Sequence, residues 1–260
     1  MGSQQNQAKL WGKEPKNWAN IQEQTGLAGY DFVLNFFQLK ATDKLLDVGC
    51  GSGYFAKMAD ATGASITGID ATPELIEAAK ERIPSVQFLV GEMEELPFEN
   101  DSFDFVVGFN SFQYAANTKN ALAEAKRVLA VNGKLAVMIW GNKADCEAAT
   151  FLKAVGSLLP PPPLGAPGPF ALSENNLLEN ILTEIGLNII ENIDLDSIWD
   201  YPDMETALKG LMSAGPAGKA IEHSGFEKVQ AAIAASAQPF VKENGHVVYK
   251  NKFRVVIAEK

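Results

Sequence analysis

Between residues 44 and 140, five short apolar runs alternate with segments of helical period, and a glycine-rich turn closes the first run. The runs lie at 45–48, 65–70, 86–90, 103–108 and 134–140, with amphipathic stretches at 54–61, 73–82 and 117–129 between them. This is the pattern of βα units on a parallel sheet, whose strands are buried on both faces and joined by helical crossovers. The second helix is well marked: Thr72 stands at its N-cap, Pro73 at the first helical position, and Glu74 and Glu77 in the first turn. Right-handed crossovers bring every strand's C-terminal end to one edge, where ligands of such α/β sheets bind.

The rest of the chain elaborates this core within one domain of 260 residues. Residues 1–43 are expected as an N-terminal helical cap; within them 10–39 carry Trp11, Trp18, Tyr30, Phe32, Phe36 and Phe37, mostly at helical spacing. The ligand-binding core takes 44–141. Segments over 142–245 cover it as a lid, with a core helix and strand at about 173–195. There, a helical stretch at 147–159 ends at prolines 160–163, which with Pro167 and Pro169 make a stiff strut. Ser173 is expected to cap a helix to Ile185, closed by Gly186, before a strand at 187–194. After a helix-rich stretch at 202–242, residues 246–260 return to the sheet, with Val248, Lys250, Lys252 and Arg254 alternating against Val247, Tyr249, Phe253 and Val255.

Charge narrows the partners. Lys and Arg number 22 against 32 Asp and Glu, a net charge of −10, which repels phosphate backbones and anionic bilayers. The densest basic stretch, Lys250 to Arg254, is no exception, so neither nucleic acid nor membrane insertion is expected. Two cysteines, Cys50 and Cys146, and two histidines stand in no metal-ligand spacing, so no metal is expected and a reducing cytoplasm fits best. The N-terminus lacks the apolar stretch of a signal peptide, and Asn6 stands where myristoylation wants Ser or Thr.

The first strand runs into LLDVGCGSGYFAKMA, with glycines at 49, 51 and 53. Glycine lets backbone approach a ligand, and the following helix offers free N–H groups to a negative group. The spacing is G-x-G-x-G, with Tyr54 where the dinucleotide fingerprint needs its third glycine, and there is no G-K-[ST]; NAD and ATP are both disfavoured. Asp70 ends the second strand at a distance from the loop that suits a carboxylate receiving ribose hydroxyls. Its plainer role would be that of a turn residue. Asp47 lies inside an apolar run, where an unpaired carboxylate is costly, and is expected to order the loop N–H groups or meet a ligand ammonium.

The loop and its acid, followed by GEMEELPFENDSFDFVVGFNSFQY and AKRVLAVNGKLAVMIWG, resemble successive motifs of class I S-adenosylmethionine-dependent methyltransferases, in particular the type 11 small-molecule branch that includes ubiquinone- and menaquinone-pathway enzymes. The resemblance implies an α/β, Rossmann-like, doubly wound seven-stranded sheet with an antiparallel last strand. It also implies S-adenosyl-L-methionine as cofactor and S-adenosyl-L-homocysteine as product. At matching positions Asp47, Gly49, Cys50, Gly51 and Gly53 would surround the methionyl end, with Asp70 on the ribose and Ala71 and Leu75 beside it. Glu92 would read the adenine amino group next to the Met93 N–H, and Phe109, Asn110 and Ser111 would lie under the methionine moiety. Glu94 and Glu95 read as solvated acids. Trp18 is placed near the active site by the resemblance, although Trp11 and Trp18 serve equally well as core anchors. Two departures stand out: Gln113 where relatives often carry His, and Val131-Asn132-Gly133 where they carry a Pro-Gly turn.

A sulfonium methyl is already activated, so positioning can suffice and no catalytic residue is required. If the acceptor must lose a proton, the weak candidates are Tyr114, close after the fourth strand, and His223, which reads more simply as a helix C-cap. His246 reads as a turn residue, and Cys50 as a small residue of the loop. Segments 143–173 and 196–245 are rich in Phe, Leu, Trp and Met and poor in clustered cations, so they are expected to enclose a small, partly hydrophobic acceptor. The alternative is a non-catalytic protein that binds S-adenosylmethionine. The acceptor, the atom methylated and the oligomeric state stay open.

Overall fold

The computed structural model describes residues 2–161 and 168–260. Seven strands form one sheet: β1 (Lys44–Val48), β2 (Ser65–Asp70), β3 (Gln87–Val90), β4 (Phe103–Phe109), β5 (Leu129–Trp140), β6 (Asn188–Tyr201) and β7 (Val247–Glu259). Their order is β3-β2-β1-β4-β5-β7-β6. The first five pair in parallel, and β7 enters antiparallel between β5 and β6. The chain reverses its direction of winding between β1 and β4, so a crevice opens beyond their C-terminal ends.

Alternation along the strands divides the apolar residues between two cores. Leu45, Val107 and Ala136 face one side, together with Phe37, Phe55, Ile76 and Phe151. Leu46, Val106 and Leu135 face the other, with Leu122 and Leu182. The helices that supply these cores, in chain order, are α1 (Gln4–Trp11), α2 (Pro15–Asn17), α3 (Leu27–Phe37), α4 (Tyr54–Asp60), α5 (Pro73–Arg82), α6 (Thr118–Val128), α7 (Ala149–Gly156), α8 (Leu177–Glu184), α9 (Met204–Met212), α10 (Gly215–Ser224) and α11 (Phe226–Ala237).

Four sequence expectations are corrected. Within the cap expected over 1–43, helix already begins at Gln4, ahead of the aromatic stretch at 10–39, and the middle is irregular: a π turn at Trp18–Gln22 and a 3₁₀ turn at Glu23–Gly26 separate α2 from α3. This path turns Trp18, Gln22 and Glu23 inward together, which a regular helix would not do. The segment at Val131-Asn132-Gly133 is a bulge within β5 rather than a free turn, because Phe103 pairs with Leu129 and Phe105 already with Lys134; Asn132 takes a φ of 63°. Strand β6 runs on to Tyr201, well past residue 194, because β7 pairs with it as far as Val247. Ser173 does not cap α8: its buried hydroxyl donates to the carbonyls of Gly141 (2.9 Å) and Phe170 (2.8 Å), tying a 3₁₀ segment to the end of β5. Of the proline strut, residues 162, 163 and 167 lie outside the described residues.

Candidate ligand-binding site

A cavity of about 1150 Å³, its mouth included, opens at the C-terminal ends of β1, β2 and β4. Its floor is the loop after β1, where Gly49, Gly51 and Gly53 all take positive φ (77°, 54° and 76°). Space excludes side chains as firmly as φ does. A Cβ on Gly49 would lie 2.3 Å from Cβ of Ser111, and one on Gly51 would lie 2.7 Å from Oε1 of Glu23 and 3.2 Å from Nε1 of Trp18.

Two carboxylates hold the loop. Asp70 accepts the N–H of Gly51 at 2.9 Å through one oxygen and that of Thr72 at 2.8 Å through the other. Glu23, only 4% exposed, accepts the N–H of Ser52 at 2.8 Å and also its hydroxyl. Arg82 pairs with Glu23 at 2.7 Å and donates to the carbonyls of Ser52 and Ala19. The N–H groups of Gly51 and Ser52, which precede α4, are thus met by the protein's own carboxylates. Asp47 lies beneath the loop, 2% exposed, and accepts no hydrogen bond from the described residues. The expected ordering of loop N–H groups therefore falls to Asp70 and Glu23. Burial, then the charges of Glu23 and Asp70, hold the Asp47 carboxyl well above its ordinary range. Burial also raises Glu23 and Asp70, against the hydrogen bonds that lower them.

Of the residues expected to bind cofactor, Trp18, Gly49, Gly51, Asp70, Ala71 and Leu75 line the cavity. So do Glu92, Met93, Phe109, Asn110 and Ser111. Asp47, Cys50 and Gly53 are not in its wall. Gly53 faces Phe88 and Ala79, and the Cys50 thiol packs against Gly68, with burial pushing its pKa up. Glu92 accepts the N–H of Gln4 at 2.8 Å, so the start of α1 rests on it. Tyr114 lines the cavity with its phenol pushed up to about 12 by burial, which disfavours it as a base. His223 is exposed at the end of α10, 3.0 Å from the Leu158 carbonyl, and His246 is paired with Asp200 at 2.6 Å; neither reaches the cavity.

Gln22, Glu23, Trp140 and Phe253 carry no sequence signal for the site, whereas Trp199 and Phe151 lie in the segments expected to enclose the acceptor. Gln22 and Glu23 lie in a polar run that reads as a solvent face, yet both are buried. Trp140, Trp199 and Phe253 line the cavity from three different strands and meet at centroid distances of 5.1–6.4 Å. Phe151, Leu152, Ala214 and Pro216 extend this wall from the covering segments. Among the described residues, no group of three or more His, Cys, Asp and Glu could hold a metal, and no helix is long and apolar enough to cross a membrane.

Comparison with known proteins bears on this arrangement. Residues 46–137 match the type 11 family described as a methyltransferase domain. A malonyl-[acyl-carrier protein] O-methyltransferase of Serratia marcescens is 32% identical over 91 residues, 35% of this chain and 36% of that one. A demethylmenaquinone methyltransferase of Tropheryma whipplei (strain Twist) is 33% identical over 99 residues, 37% of this chain and 41% of the relative. The chain thus matches less than half the length of these two relatives. In fold it is similar to the YcgJ protein of Bacillus subtilis, with a TM-score of 0.59 and 19% identity over 89% of this chain and 97% of that chain.

Proposed function

We propose that this chain, whose residues 46–137 match the type 11 methyltransferase domain family, transfers a methyl group from S-adenosylmethionine to a small, partly hydrophobic organic acceptor. One observation carries the reading. The glycine loop with Asp70 and the aromatic wall of Trp140, Trp199 and Phe253 line a single cavity, and no Lys, Arg or His lines it among the described residues. Such a chamber suits a small apolar molecule and gives a phosphate backbone nothing to follow.

The residues present fit the cofactor. The indole N–H of Trp18 is buried without a partner and sits beside Gly51, a donor awaiting an acceptor. Asp47 is a buried carboxylate without a donor, suited to a nearby positive charge. Asp70 would meet the ribose and Glu92 the adenine amino group, with Gly49, Ser111 and Asn110 beneath the methionine chain. When bound, the cofactor would supply an electrophilic methyl, with the C–S bonding pair left on sulfur, and a proton on the attacking atom would leave to bulk solvent once the product is released. The chain's part is to hold the two molecules in line and keep water out, and alignment of this kind is worth roughly 7–11 kcal/mol. Phe151, Leu152 and Trp199 supply the dry wall. Two buried cysteines, free of disulfides, suit the reducing cytoplasm as its compartment.

The test is methyl transfer from S-adenosylmethionine carrying a tritiated methyl, with a panel of small aromatic and aliphatic acceptors alongside tRNA and DNA. Label in a small molecule supports the reading. Efficient, salt-sensitive label in nucleic acid overturns it, and tight cofactor binding with no transfer to any acceptor would mark a non-catalytic binder.

A further inference from the structure

Gln22 is buried to 4% exposure in the π turn of the cap, yet it lines the cavity. Its side chain is held at one end. The carboxamide oxygen accepts the hydroxyl of the buried Tyr201 at 2.8 Å, and it lies against α9, where a Cβ on Gly210 would come within 2.8 Å of it. With the Tyr201 hydroxyl donating to the oxygen, the amide nitrogen is left without an acceptor among the described residues. A donor so placed beside an otherwise apolar wall is the kind of polar group that orients a ligand.

The wall beside it offers rings and little else. Trp140, Trp199 and Phe253 meet there, and the Trp199 indole N–H is already given to Ser197 at 3.2 Å, whose hydroxyl donates to the carbonyl of Thr25 at 2.9 Å. The charged groups that line the cavity are engaged: Glu23 by Ser52 and Arg82, Asp70 by Gly51 and Thr72, Glu92 by Gln4. A carboxylate or phosphate would be buried here without a cation, and an ammonium without a free acid; both are costly.

We propose that Gln22 is the specificity-determining residue of the acceptor end, and that the acceptor is an uncharged, ring-bearing molecule whose carbonyl or hydroxyl oxygen takes the Gln22 amide N–H while its ring lies on the Trp140, Trp199 and Phe253 wall. This rests on the methyltransferase reading above and narrows its acceptor. It also sets the chain apart from a relative acting on a malonyl group, whose free carboxylate would find no cation here.

The test uses three ring probes of similar size, 4-hydroxyacetophenone (neutral), benzoate (anionic) and benzylamine (cationic), with binding read by quenching of tryptophan fluorescence in the full chain saturated with S-adenosylhomocysteine. Calorimetry first measures the binding of S-adenosylhomocysteine itself. The neutral probe should bind about tenfold or more tighter than either charged one. Gln22→Glu keeps an oxygen for the Tyr201 hydroxyl and removes the donor, so it should weaken the neutral probe by about five- to tenfold, the loss of one hydrogen bond. It should favour benzylamine and leave binding of S-adenosylhomocysteine intact. Tyr201→Phe, which keeps the donor but frees the carboxamide to turn, serves as the second variant and should weaken the neutral probe less. If S-adenosylhomocysteine binds but a charged probe prevails, or both variants bind the neutral probe as the parent does, the assignment of Gln22 is wrong and the methyltransferase reading stands. If S-adenosylhomocysteine does not bind, both fall.

Discussion

The Glu23 carboxylate accepts the backbone N–H of Ser52 at 2.8 Å, joining the N-terminal cap to the glycine loop across 29 residues of chain. Arg82 closes the arrangement from α5. Glu23→Ala would leave a largely buried guanidinium without its anion and the Ser52 N–H without an acceptor, at about 3–5 kcal/mol. Urea unfolding should register a loss of that size, with weakened cofactor binding. A loss below about 1 kcal/mol would mean that the pair behaves as an exposed surface bridge.

Asp47 gives the apoprotein an unusual pH dependence. Burial, and then the charges of Glu23 and Asp70, hold its folded pKa well above the ordinary 3.8, so the folded state binds this proton more tightly than the unfolded chain does. Its contribution to stability is therefore fully present below about 3.8 and is lost as pH rises through the raised folded value. Asp47→Asn removes that loss. The stability of the variant relative to the parent should climb with pH across this window, by about 1.4 kcal/mol for each tenfold difference in proton affinity, and then level off. Urea unfolding over a pH series checks it; parallel curves would show that Asp47 titrates normally.

Trp18 donates to nothing among the described residues although its indole N–H is buried. Trp18→Phe forfeits no protein hydrogen bond, so the fold should change little, while S-adenosylmethionine affinity should fall by about tenfold, as for one lost hydrogen bond. Equal affinity of the two proteins in calorimetry would mean that the donor does not face the cofactor.

Glu92 already accepts the N–H of Gln4 at the start of α1, the N–H of Glu94 and the Ser3 hydroxyl, and it is also proposed to meet the adenine amino group. Glu92→Gln should weaken S-adenosylhomocysteine binding while costing the helix about 0.3–1 kcal/mol, the worth of an anion at a helix N-terminus. Unchanged affinity with a loosened α1 would leave Glu92 to the cap alone.

The legible part of this molecule was local. Gly49, Gly51 and Gly53 announced a loop because their conformations demand glycine, and Asp70 followed at the end of an apolar run that could only be a strand. Both signals lie within one βα unit. Gln22 and Glu23 were silent because their meaning comes from Tyr201 and Ser52, 179 and 29 residues away, and because a π turn moves them off the helical face on which a regular period would place them. Trp140 and Phe253 were visible as apolar residues of strands and Trp199 as a residue of the covering segment 196–245, but that they meet depends on β7 lying between β5 and β6, which no spacing encodes. Ser173 misled for a related reason: a serine before a helical stretch has the form of a cap, and only its burial against Gly141 shows the hydroxyl donating instead.

Asp70 is the residue on which the account turns, since it both holds the glycine loop and is proposed to receive the ribose. The most direct measurement is calorimetric titration of the parent protein and Asp70→Ala with S-adenosylmethionine, S-adenosylhomocysteine and NAD. Both adenosyl compounds should bind the parent and NAD should not, and Asp70→Ala should weaken them by about 1.5–3 kcal/mol, the range for hydrogen bonds to a charged group. Binding of NAD in their place, or an Asp70→Ala protein that binds S-adenosylmethionine as tightly as the parent, would contradict it.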